Sequence, residues 1–70
     1  MKPSNLIKMA NQIGAFFEAM PNREKAVKDV AAHIQKNWDP RMRNVLLQYT
    51  RERSDIELIE IVRDALPLVK

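Results

Sequence analysis

The chain of 70 residues has no cysteine, one glycine, one histidine, one tryptophan, one tyrosine and two phenylalanines. Without cysteine there is no disulfide, no thiolate metal site and no cysteine-ligated iron–sulfur cluster. A lone histidine lacks the His or Cys partners of a structural zinc site, so no metal is expected. No second His, Cys or Ser triad accompanies His33 as an acid–base partner. It is read as a partly buried or helix-end residue making one hydrogen bond. No apolar run approaches the ~18–20 residues of a membrane span. None follows Met1-Lys2-Pro3-Ser4 as in a signal peptide, so a soluble, cytoplasmic protein is expected. Repeats, low-complexity segments and strand-like alternation are absent as well.

What is present is helical patterning in a chain sized for a single domain spanning residues 1–70. A chain of this length buries only about 60% of the surface its unfolded form exposes. Small domains without disulfides or metals depend on very good helix packing or on association. The net charge of +3 is mild but unevenly spread. Residues 36–53 are basic, with Lys36, Arg41, Arg43, Arg51 and Arg53 against Asp39 and Glu52. Residues 54–70 are acidic, with Asp55, Glu57, Glu60 and Asp64 against Arg63 and Lys70. Such a division suits internal pairing or a charged partner.

The periodicity predicts an all-α fold, a small bundle of three to four helices over about 4–20, 22–38, 40–51 and 55–66. The first starts near Ser4 as N-cap and carries Leu6, Met9, Ala10, Ile13, Phe16, Phe17 and Met20 on one stripe. With both phenylalanines, it is expected to supply most of the core. Gly14 costs up to ~1 kcal/mol relative to Ala in mid-helix, which suggests close approach of another backbone. Asn22 is the expected cap of the second helix, whose apolar face runs from Ala26 to Trp38. Asp39-Pro40 then reads as a stop and a new start. The carboxylate can accept from free N–H groups of the next turn, Pro suits the first helical position, and the residue before Pro avoids the α conformation. Ser54-Asp55-Ile56-Glu57 matches a capping box ahead of an apolar run. That last helix has an apolar arc of roughly 160°, wider than the ~100° of an ordinary surface helix. It is either clasped on two sides or meets another chain.

Five residues stand out as candidates for partner binding: Trp38, Arg41, Arg43, Leu58 and Ile61. Trp38 either closes the core at the corner between the second and third helices or anchors a partner, Trp and Arg being enriched in binding hot spots. Arg41 and Arg43 lie in a first helical turn, where cations are unfavourable. They point about 200° apart, which suits the rim of a contact surface better than an anion pocket. Leu58 and Ile61 belong to the surplus apolar arc. The carboxylates Glu57, Glu60 and Asp64 read as a solvated face, not a catalytic pair. Enzyme activity in this chain alone is therefore not expected. Nucleic acid is the weaker partner class: a basic stripe is present, but the third helix carries Val45, Leu46, Leu47 and Tyr49 and few side chains suited to reading bases. Self-association through the apolar surface, giving a homo-oligomer in isolation, is the remaining alternative.

Residues 9–17, Met-Ala-Asn-Gln-Ile-Gly-Ala-Phe-Phe, then His33-Ile34 and Trp38-Asp39-Pro40-Arg41-Met42-Arg43, resemble the delta subunit of NAD-dependent formate dehydrogenase. Val62-Arg63-Asp64-Ala65-Leu66 is a weaker third match. One departure is Asn37, at a position before the Trp where the family usually carries an aromatic; it bears on how closely the corner packs. The resemblance implies a small non-catalytic accessory subunit of a cytoplasmic, molybdenum- or tungsten-dependent complex. That subunit would bind the catalytic alpha subunit and support its assembly or stability. By the same resemblance, the metal, pterin, iron–sulfur clusters, flavin and NAD belong to the larger subunits.

Overall fold

A computed structural model of the chain describes residues 2–53 and 57–69. The expected all-α fold is observed: helices α1 (Pro3–Glu18), α2 (Arg23–Asn37), α3 (Pro40–Glu52) and α4 (Glu60–Ala65), followed by a 3-10 turn, Leu66–Leu68. Helix α1 contacts each of the other three, and α4 lies against both α1 and α2.

Local chemistry sets most helix ends. Asn22 caps α2 by accepting from Lys25 N at 3.0 Å, and Asp39 caps α3 by accepting from Met42 N at 2.9 Å. Pro40 occupies the first turn of α3, and both Trp38 and Asp39 are extended, so α2 cannot run on through the corner. Helix α1 differs from expectation at both ends. Its N-cap is Lys2, without a side-chain cap, and Ser4 lies inside the first turn. Pro3, preset for the first helical position, moves the start ahead of the serine. The helix ends at Glu18, two residues before the expected limit.

The last helix is corrected most. Ser54 and its capping box partly lie outside the described residues, but Glu57 is exposed and not helical, and α4 begins only at Glu60, with Ile59 as N-cap. Tertiary contacts hold residues 57–59 out of a helix. The Asn11 amide donates from Nδ2 to Glu57 O at 2.7 Å, and its Oδ1 accepts from Ile59 N at 3.0 Å. One side chain of α1 thus satisfies two backbone groups of the connection. Six helical residues are far too few to persist alone. Burial holds α4 in place: Ile61, Val62 and Ala65 are fully buried between α1 and α2, at about 1.5–3 kcal/mol for each large aliphatic side chain. The wide apolar arc is therefore clasped on two sides.

Gly14 is what lets α4 come so close. An added Cβ there would lie 2.6 Å from Val62 Cγ2, 2.9 Å from Ile59 Cδ1 and 3.0 Å from Ile61 Cγ2. The close approach is by side chains of α4 and its N-cap, not by a neighbouring backbone as expected. The face of α1 turned to the core is Leu6, Ala10 and Gly14. Phe17 is partly buried and packs against the core cluster, but Phe16 is 76% exposed, so only one of the two rings contributes to the core. Helix α1 buries its small residues because α4 needs the room, and its largest side chains remain on the outer flank.

Candidate partner-binding surface

The outer flank of α1 and the α2–α3 corner together form an open apolar groove. Met9, Gln12, Ile13, Phe16 and Phe17 line it from α1, His33 and Asn37 from α2, and Trp38 and Met42 from the corner and α3. Met9 and Phe16, seven residues apart, stand about 20° from one another around the helix and form one ridge. Among the described residues they are two of the three large hydrophobic residues exposed to solvent; the third, Leu68, lies apart on the 3-10 turn. The Phe16 ring is braced edge-on by Phe17 at 5.2 Å, and Phe17 meets the exposed His33 ring at 6.1 Å. A solvated aromatic beside an apolar hollow is the kind of exposed feature that marks a candidate contact surface.

The five residues singled out from the sequence fare differently. Trp38 is 5% exposed and belongs to the core cluster, so its ring closes the fold and offers only an edge to the groove floor. The helix break at Asp39-Pro40 turns it inward, and Asn37 beside it does not loosen the corner: its Nδ2 donates to His33 O at 2.9 Å. Ile61 is fully buried, and Leu58 is 7% exposed, lining an open pocket with Leu47 of α3 and Leu66 of the 3-10 turn. Arg43 is half-buried, and its guanidinium serves the fold. Nη1 donates to Gln35 O at 3.0 Å and to Trp38 O at 2.7 Å. It thereby satisfies carbonyls that the end of α2 leaves without helical partners. Its Nε is buried without an acceptor, a cost offset by those two charge-assisted bonds. Of the five, only Arg41 is exposed.

The basic stripe is also split, Arg51 and Arg53 lining one pocket with Arg63 away from the groove. Arg43 faces the α2 terminus, and Arg53 lies over the Tyr49 ring at 5.2 Å, ten residues further along α3. Asp64 is engaged by Arg23 at 3.6 Å on the exposed surface, where such a pair adds little stability. Among the described residues no three His, Asp or Glu side chains gather as metal ligands, and no helix is long and apolar enough to cross a membrane.

Sequence reading missed Met9, Gln12 and Ile13 as groove residues and Asn11 as the clamp on residues 57–59. One signal for the groove was available: the apolar positions of α1 extend well beyond the arc that Leu6, Ala10 and Gly14 occupy. No local pattern marks Asn11, whose partners lie more than forty residues away.

The groove joins the two stretches on which the family resemblance rests, residues 9–17 and 33–43, although they are distant in sequence. No curated protein and no solved structure matches the chain. The family model described as NADH-dependent formate dehydrogenase delta subunit FdsD matches residues 5–66, from the first turn of α1 to the turn that follows α4. The chain therefore belongs to the NADH-dependent formate dehydrogenase delta subunit family, FdsD.

Proposed function

We propose that this chain is a non-catalytic accessory subunit that binds the catalytic alpha subunit of a cytoplasmic NADH-dependent formate dehydrogenase and supports its assembly or stability. The observation that carries this reading is the exposed Phe16, standing on an apolar groove that none of the described residues covers. Leaving a braced aromatic in water costs free energy that a partner surface recovers by burying it. The chain has no cysteine to hold an iron–sulfur cluster, and its described residues offer no grouped metal ligands. On this reading the molybdenum or tungsten pterin, the clusters, the flavin and the NAD site belong to the partner subunits. The chain's own contribution is a preformed surface, rigid because α4 is wedged behind it.

Affinity purification of the tagged chain from cells that make the complex tests this reading. The wild-type chain is expected to recover the alpha subunit. Phe16→Glu is expected to lower recovery at least tenfold, on the scale of about 2 kcal/mol for a hot-spot side chain. Thermal unfolding of the variant should change little, because the ring is mostly solvated. Recovery of no formate dehydrogenase subunit by the wild-type chain would refute the proposal.

A further inference from the structure

The α1–α2 hairpin has two sides, and one of them already holds a helix. Helix α4 sits between α1 and α2 with its side chains against Gly14. Around α1, Ile13, Met9 and Phe16 lie about 100–160° from Gly14, so the groove opens on the other side of the hairpin. It is lined by the outer flanks of the same pair of helices, whose Phe17 and His33 rings meet at 6.1 Å. Trp38 and Met42 line it at the α2–α3 corner, as Gly14 lies against Ile59, Ile61 and Val62 on the other side. The fold thus contains its own example of what this valley accepts.

Charge narrows the occupant further. Among the described residues no carboxylate lines the groove; its polar members are Gln12, His33 and Asn37. Neither Lys36 nor Arg41 lines the groove itself, but Lys36 lies about 60° around α2 from the lining His33, and Arg41 precedes the lining Met42 in the first turn of α3. Both are exposed, and neither has an acidic partner among the described residues. The nearby acids are engaged or turned away. Asp29 pairs with Lys25 at 3.0 Å, Asp39 caps α3, and Glu18 lies about 160° around α1 from Phe16. Arg41 also stands at a positive helix end, where a cation is unfavourable until an anion approaches it.

We infer that the groove receives one amphipathic helix of the partner subunit, with its apolar face on Phe16, Met9 and Ile13 and carboxylates on the flank over Lys36 and Arg41. The inference rests on the accessory-subunit reading above and specifies the chemistry of the segment bound. Helix-in-groove docking supplies both features: apolar anchors at i, i+3, i+4 and i+7 for affinity, and flanking charge for register and partner choice.

The test places the photo-crosslinking residue p-benzoylphenylalanine in place of Phe16 in the tagged full-length chain, made together with the complex. Irradiation and peptide mass spectrometry identify the segment reached. The expected product is one alpha-subunit peptide with helical apolar spacing and at least two carboxylates on one flank. In parallel, Lys36→Glu with Arg41→Glu is expected to reduce alpha-subunit recovery at least tenfold at low salt, with the difference narrowing as salt rises. A cross-link to a second copy of this chain, to an extended segment or to one without carboxylates would overturn the inference and leave the accessory reading standing. So would charge reversal that alters recovery less than twofold. Failure of the wild-type chain to recover any formate dehydrogenase subunit overturns both.

Discussion

Gly14→Ala is the sharpest probe of how α4 is held, because two effects of opposite sign compete at one atom. At an open helical site the change stabilises by about 0.8–1.0 kcal/mol through propensity. Here the new Cβ would stand 2.6 Å from Val62 Cγ2, 2.9 Å from Ile59 Cδ1 and 3.0 Å from Ile61 Cγ2. Two of those atoms are branches on the β-carbons of α4 residues and have little rotamer freedom; only the Ile59 terminus can swing aside. Relief therefore requires α4 itself to shift, and overpacking of this kind costs about 1–3 kcal/mol. The stiff contacts put the cost toward the upper part of that range. The net expectation is a destabilisation of about 1–2 kcal/mol, or a fall in Tm of roughly 4–16 °C for a domain this small. Urea unfolding followed by circular dichroism measures it. The double-mutant cycle with Val62→Ala isolates the cause. Removing the nearest methyl should recover part of the loss, with a favourable coupling of about 0.5–3 kcal/mol between the two sites. If Gly14→Ala stabilises the protein by about 1 kcal/mol, the wedge of α4 against α1 is wrong as described.

Three further expectations follow from single side chains. Arg43→Ala leaves Gln35 O and Trp38 O without their donor and should cost about 1–3 kcal/mol; an unchanged unfolding midpoint would show that water replaces it freely. Trp38→Ala should cost about 3–5 kcal/mol, since the ring is core and leaves a cavity. A loss below about 1 kcal/mol would instead return Trp38 to the role of a waiting partner anchor. Asn11→Ala removes both bonds to residues 57–59 and should cost about 1–3 kcal/mol, together with faster amide exchange at Ile59; protection that stays at wild-type level would count against the clamp.

The division between what was readable and what was not follows the range of the interactions. Asn22, Asp39 and Pro40 act within one turn, so their effect is visible in a few consecutive letters. The caps and the Asp-Pro break stand where those letters place them. The capping-box pattern at residues 54–57 is equally local, yet Glu57 is not helical, because Asn11 binds the backbone there from the distant α1. Arg43 reads as a rim cation until the corner folds and brings the α2 carbonyls within reach of its guanidinium.

The sequence alone determined the helical class, the helix-breaking corner and the likeness to the delta subunit family, since periodicity, turn chemistry and motif are properties of neighbouring residues. It also led to the expectation that a domain of 70 residues leaves some of its apolar side chains to a partner. Which apolar residues stay uncovered was decided by tertiary structure alone. Helix α4 and the connection before it bring Ile61, Val62 and Leu58 inward and take the space at Gly14, while Met9 and Phe16 of the first helix stay exposed. A hydrophobic stripe records what can be buried; which part of it is buried depends on where the rest of the chain packs.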